Sequence, residues 1–261
     1  MTATLPAALP AVTAVDDVMV IHLGCEHTLA VACDSCAGIG DRAGDRVIVS
    51  PYVVGRFTCR VPLLELLAVG AQPFLVVATL GVEPYPTGQA LLEGVREEAS
   101  LAGVPPANLL ISTEKNIPTG QTAVGVTILG RITGAGLRCG RARPGDLVLA
   151  VGVPKVGNEV GLDDPEIADI PTLLLATEFP AVGDLIPVGS EGIAREARKL
   201  ARRAGLHFAP GGHGVNMDKS AGPSTCFLAT VPPAHLDEFY RHMYPSTRPC
   251  YPVGRLSPPC P

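Results

Sequence analysis

The chain has 261 residues, 47% hydrophobic and 17% charged, which is enough to bury a full core and too apolar for a disordered chain. A formal charge of -5, with 4% aromatics and no Trp, gives neither an electrostatic nor a base-stacking reason to bind nucleic acid, nor a reason to bind an anionic membrane. Eight cysteines include one isolated C-x-x-C, Cys33 and Cys36, without a second such pair or a nearby His pair, so neither structural zinc nor a redox dithiol is indicated.

Taken in order, residues 1–14 are rich in Pro and Ala, lack a basic n-region and read as a loose tail, not a signal peptide. Asp16 and Asp17 precede an apolar run at 18–21, and residues 22–27 turn it back into a strand at 28–32. That strand delivers Asp34 into a stretch of small residues containing Gly38 and Gly40, where backbone can approach a ligand closely. A polar turn would use the same residue types for local reasons.

Residues 47–54 read as a short strand or loop, 59–69 as a helix ended by Gly70 and Pro73, and 74–80 as a strand buried on both faces. The apolar region 63–82 is broken by Glu65, Gln72 and Pro73 and is no membrane span. A helix at 87–102 and a strand at 109–111 lead to Ser112, Thr113 and Glu114, which repeats the strand-then-carboxylate design. A strand at 122–132 closes the first half.

Pro144, Gly145 and Asp146 mark a boundary, and the strand 147–151 leads into a small-residue turn with Lys155, Gly157 and Asn158. A helix at 166–178 is expected to break at Pro171. Ser190 is expected to cap a helix at 191–204 whose Arg195, Arg198, Lys199, Arg202 and Arg203 read as a solvated face paired with Glu191 and Glu196. A strand at 226–231, a helix at 234–243 and a Pro-rich tail at 244–261 complete the chain.

Asp17, Asp34, Glu65 and Glu114 lie at or near element ends, and converging carboxylates repel unless cations sit between them. Hard oxygen donors of this kind select Mg2+ held against phosphates. No P-loop, Gly-x-Ser-x-Gly elbow or His-Glu-x-x-His helix occurs. The six histidines are dispersed, and His207 and His213 read as loop or surface residues.

The order of these turns resembles the superfamily of aminoimidazole ribonucleotide (AIR) synthetase, thiamine-monophosphate kinase, selenophosphate synthetase and the hydrogenase-maturation carbamoyl dehydratase. Asp16-Asp17 resembles the kinase branch's Gly-Asp-Asp, with Val15 in place of the glycine. Asp34 with Gly38 and Gly40 resembles its Asp-Gly-Val-Gly, and Glu65 before Gly70-Ala71-Gln72-Pro73 resembles its Asn-Asp-x-x-x-x-Gly-Ala-x-Pro, with Leu64 replacing the asparagine. Ser112-Thr113-Glu114 falls on Gly-Gly-Glu/Asp-Thr without the glycines. Gly157-Asn158 and Ser190-Glu191-Gly192-Ile193 echo C-terminal stretches.

The resemblance implies an α+β chain of two α/β domains, an ATP-binding N-terminal domain at 15–138 that dimerises and a C-terminal domain at 139–243, flanked by the tails. It implies a homodimeric, Mg2+- and ATP-dependent phosphotransferase acting on a small-molecule substrate, with α-ribazole of cobalamin salvage as the acceptor suggested by Arg60, Ser112-Thr113-Glu114, the stretch 154–160 with Lys155 and Asn158, and the stretch 220–223; the scattered, mostly apolar-flanked thiols point separately to a cytoplasmic setting. In that scheme Asp17, Asp34, Glu65 and Glu114 hold Mg2+, and Asp34, Gly38, Gly40, Arg60, Ser112 and Thr113 bind the nucleotide. Lys155 neutralises the transferred group, and Asn158 or Glu191 positions the acceptor. An amide-activating synthetase of the AIR type and a non-catalytic nucleotide-binding module are the alternatives. Cys260 is expected to be an ordinary tail cysteine.

Overall fold

The computed structural model describes residues 10–24, 28–133, 136–212 and 214–259. Cys260, His213 and the first nine residues of the expected tail lie outside that set.

The first half builds a six-stranded sheet from β1 (Ala11–Val15), β2 (Val18–His22), β3 (Thr28–Ala37), β6 (Gln72–Leu80), β7 (Leu109–Thr113) and β8 (Ala123–Ile132), in the order β1-β2-β3-β8-β6-β7. All pairs are antiparallel except β6 with β7. A parallel pair needs a crossover, and α2 (Gln89–Leu101) supplies it. Between β3 and β6 come two short paired strands, β4 (Ile39–Gly40) and β5 (Val47–Ile48), and α1 (Pro51–Ala68).

Alternation along each strand sends Val20, Ala30, Ala32, Val76, Ala78, Val126 and Ile128 inward to the buried core that also holds Leu63, Leu64 and Leu91 of the two helices. The opposite face stays open. Met19, Val31, Leu129 and Leu75 form one cross-strand row on it, each exposed or half-buried. β6 is therefore covered on one side only, not both as its apolar run suggested.

The helices α1 and α2 touch backbone to backbone. A Cβ on Gly55 would stand 2.0 Å from the Leu91 carbonyl oxygen, and one on Gly94 2.1 Å from that of Tyr52. Beside this crossing, Glu98 on α2 is fully buried and takes charge-assisted hydrogen bonds from Arg56 and Arg60 of α1, each at 2.6 Å.

The second half builds a five-stranded antiparallel sheet from β9 (Leu147–Gly152), β10 (Leu185–Pro187), β11 (His207–Pro210), β12 (Cys226–Val231) and β13 (Cys250–Ser257), in the order β10-β12-β9-β13-β11. The helices α3 (Ile170–Glu178), α4 (Gly192–Arg203) and α5 (Leu236–Met243) pack beside it. Leu173 of α3 and Leu185 of β10 join the same buried cluster as α1, so the two halves share a core.

Four expectations need correction. The supposed loose tail contributes β1, whose five residues pair fully with β2. The supposed Pro-rich tail contributes β13, an inner strand, and Pro252 is tolerated because the ladder with β9 shifts register beside it. Pro171 starts α3 instead of breaking it, since the first helical turn has no use for its missing N–H, and the Asp169 side chain caps that turn. α4 begins with Glu191, not Ser190, at its N-cap, and no side-chain cap bond forms.

Candidate functional site

The alternation that buries Ala30 and Ala32 continues to Asp34, so the carboxylate sits on the helix-covered face at the end of β3. Above it, α1 presents Val54, Phe57, Thr58, Val61, Glu65 and Ala68, spaced as one helical stripe. The β1–β2 turn brings in Asp16 and Asp17, with Asp16 at φ 49°. These elements form one wall of a cavity of about 680 Å³.

The second half forms the opposite wall. The turn after β9 contributes Val156, Gly157 and Asn158, the segment between β10 and α4 contributes Gly189 and Ser190, and the turn before β12 contributes Gly222, Pro223 and Ser224. Ser224 is buried at φ 51°, a left-handed conformation that an L-residue holds only under external constraint. Thr225 next to it supplies that constraint. Its hydroxyl donates to the Val153 carbonyl at 3.0 Å and accepts from the Lys155 N–H at 2.9 Å.

The electrostatics centre on Glu65. Burial raises its pKa to about 9, and the charges of Asp17, Asp34 and Glu196 add to the effect. Its Oε2 is buried without a hydrogen-bond partner among the described residues. Burial raises Asp34 as well. These are hard oxygen donors short of a cation, which fits a magnesium-phosphate site in donor chemistry. Among the described residues, however, no three His, Cys, Asp or Glu side chains stand close enough together to hold one metal ion.

The expected site residues divide into two sets. Asp17, Asp34, Glu65 and Asn158 line the cavity, and Glu191 follows the lining residue Ser190 while pairing with Arg195 and Lys199. Arg60 does not reach it, because Glu98 takes its guanidinium into the α1–α2 contact. Lys155 does not line it either. Its ammonium is held by Asp164 at 2.5 Å and Glu166 at 2.7 Å, and these bonds raise its pKa. Gly38 and Gly40 lie beside the lining residue Ile39 and pack against Gln121 and Thr122.

Ser112 and Thr113 end β7 at the edge of the first sheet, away from the cavity lining. Glu114 accepts hydrogen bonds from the Asn116 and Ile117 N–H groups, which lower its pKa and make it a turn cap. Four carboxylates were expected to converge; three of them, Asp17, Asp34 and Glu65, line the same cavity without standing close enough together to share one ion. Cys33 and Cys36 project from opposite faces of β3, as i and i+3 on a strand must, so the pair is no dithiol. Burial and the nearby Asp34 raise Cys36 to about 11.

The sequence reading missed the inward side of α4. Glu196, Lys199 and Arg203 recur at i, i+3 and i+7, and Arg203 lines the cavity. The clue was Glu196 amid five cations, three of them exposed, yet composition alone does not tell which arginine of a basic helix turns inward.

Residues 15–132 match the model of the family "AIR synthase related protein, N-terminal domain". No curated protein matches the chain. Among solved structures, thiamine-monophosphate kinase from Stenotrophomonas maltophilia K279a superposes with a TM-score of 0.65 at 14% identity, covering 94% of this chain and 87% of that one. The structure described as AaThiL complexed with AMPPCP and TMP gives 0.62 at 15%, covering 94% and 85%. Thermotoga maritima PurL complexed with ADP gives 0.62 at 14%, covering 96% of this chain and 42% of that one. Residues 15–132 thus carry the N-terminal domain of the expected family, and the fold class expected from the ordered turns is borne out. These likenesses do not reach α-ribazole kinase.

Proposed function

We propose that this chain, an AIR synthase-related protein by its N-terminal domain and its fold, is an ATP-dependent phosphotransferase acting on a small metabolite. The observation that carries the reading is that Asp17, Asp34 and Glu65 line one wall of the inter-half cavity, opposite Asn158 and Ser190. Likeness to structures crystallised with AMPPCP and with ADP supports a nucleotide there.

In this proposal Asp17, Asp34 and Glu65 would offer oxygen donors to Mg2+ bound together with the nucleotide, without forming a three-carboxylate cage around one ion, and the ion, when bound, would neutralise charge on the nucleotide phosphates. Asn158 and Ser190 orient the acceptor from the facing wall, and the apolar stripe of α1 excludes water from the reacting groups. Lys155, in its double ion pair, fixes the turn that presents Asn158. Glu191 keeps Lys199 and Arg195 in place beside it. Gly38 and Gly40 shape the chain around Ile39. Glu114, Ser112, Thr113 and Arg60 take no part in the chemistry of this cavity.

A homodimer formed through the open sheet face is part of the proposal. Met19 is 45% exposed and Leu110, on the same face as Val77, is 61% exposed. A continuous apolar face of this kind favours a partner, and a second copy supplies a matching one. The expected cytoplasmic setting is in keeping with Cys33, Cys36, Cys59, Cys139, Cys226 and Cys250 as free thiols. Among the described residues no helix is long and apolar enough to cross a membrane.

A screen with labelled ATP against nucleosides, α-ribazole and thiamine phosphate tests the function. The reading requires label transfer to one acceptor and loss of that transfer in Asp34→Asn. ATP hydrolysis that depends on an amide substrate, or nucleotide binding without transfer to any acceptor, would replace it with one of the alternatives. α-Ribazole is the acceptor that the motif resemblance favours.

A further inference from the structure

The basic residues of α4 do not form one solvated face. Arg195, Arg198 and Arg202 are exposed, whereas Arg203 is buried, its side chain only 8% exposed, and belongs to the cavity wall. Among the described residues lining that cavity it is the single Lys, Arg or His.

Its donors are unevenly used. Nη1 donates to the Leu185 carbonyl oxygen at 3.3 Å, and Nη2 pairs with the Asp16 carboxylate in the β1–β2 turn. Nε is buried and has no partner among the described residues. A guanidinium offers a planar fork that matches two oxygens on one centre, and a buried donor left unmet is unfavourable. A clamp between the two halves accounts for the Asp16 pair. It does not account for the cavity position or the unmet donor.

We propose that Arg203 binds the phosphate oxygens of the ligand, with Asp16 holding the guanidinium in place until they arrive. This rests on the reading of the cavity as the nucleotide and metabolite site. Asp16 and the ligand then compete for one guanidinium, so their effects on affinity are opposite.

Calorimetry on the whole chain with inorganic pyrophosphate and with AMPPCP and Mg2+ tests this. Arg203→Gln is expected to weaken both probes roughly tenfold or more, with Arg203→Lys, which keeps the charge without the fork, in between. Arg198→Gln, exposed on the outer side, matches the wild type. Asp16→Asn, which removes the competitor and suits the left-handed turn, binds pyrophosphate roughly threefold tighter.

Equal affinities in the wild type, Arg203→Gln and Arg203→Lys would overturn the proposal, as would a wild type that binds neither probe. If Arg203→Gln does not fold, Asp16→Asn decides, and unchanged or weaker pyrophosphate binding overturns it. Arg203-dependent pyrophosphate binding in a protein that transfers no phosphoryl group leaves this inference standing and removes the phosphotransferase reading. Phosphoryl transfer with probe binding indifferent to Arg203 does the reverse.

Discussion

Replacing Glu65 with Gln should stabilise the ligand-free protein and disable it at once. In the unfolded chain this carboxyl titrates near 4.5, while in the fold burial and the charges of Asp17 and Asp34 raise it to about 9. A raised acid destabilises the fold as pH rises, because the unfolded chain gives up its proton first. The loss starts near pH 4.5 and is complete above about 9. At about 1.4 kcal/mol per pH unit that interval amounts to about 6 kcal/mol, of which about 3 kcal/mol has accumulated by pH 7. Gln keeps the shape of the protonated acid and does not titrate. Urea unfolding in EDTA at pH 5, 7 and 9 should therefore show near-coincident stabilities at pH 5 and a Gln variant ahead by about 3 kcal/mol at pH 7, with the gap widening at pH 9. Parallel pH profiles for the two proteins would refute the electrostatic reasoning. On the proposed function the same variant loses ATP turnover, so the carboxylate is retained at a cost in stability.

Glu98→Gln leaves the buried Arg60 without its carboxylate and takes from the half-buried Arg56 one of its two, Glu97 remaining, and should cost about 3 kcal/mol in urea unfolding while leaving the cavity lining intact. Gly55→Val drives a side chain into the Leu91 carbonyl, which is backbone and has nowhere to go, and should cost about 3 kcal/mol or abolish folding. An unchanged melting temperature in that variant would mean that the two helices do not touch as described. Leu129→Glu, at the centre of the open sheet face, should convert a dimer to a monomer in sedimentation while melting within a few degrees of the wild type. A dimer that survives the substitution would place the interface elsewhere.

Much of the architecture was legible because the strands announce themselves locally. The apolar runs ending at Leu80, Ile132 and Val151 each became a strand within a residue or two of the expected limits. The start of α1 was not legible. Val53 and Val54 have β-branched side chains that favour a strand, and only burial against the sheet and α2 makes them helical, in a helix that starts eight residues before the expected 59. β13 was obscured by its prolines, whose penalty a register shift removes. At the site, Asp34 could be read because a two-residue alternation fixes the side on which a strand residue emerges. Glu65 could be placed from helical spacing. Arg203 could not, since its direction depends on how α4 packs against the other half of the chain. The same is true of Ser112, Thr113 and Glu114, whose motif likeness says nothing about which edge of the sheet their strand occupies.

The position of β13 also sets a schedule for the growing chain. Every strand of the first sheet has been made by residue 132, whereas β9 waits for both its neighbours, β12 and β13, and β11 for its only one. A nascent chain can thus display a finished carboxylate-bearing wall for the whole time in which more than a hundred further residues are added, with nothing yet opposite it. The second sheet is complete only when residues 250–257 slide between two strands that were made long before. A ribosome stalled in the last stretch would leave a folded half exposing an acidic, apolar surface, which makes that late insertion the step on which chaperone contact should concentrate.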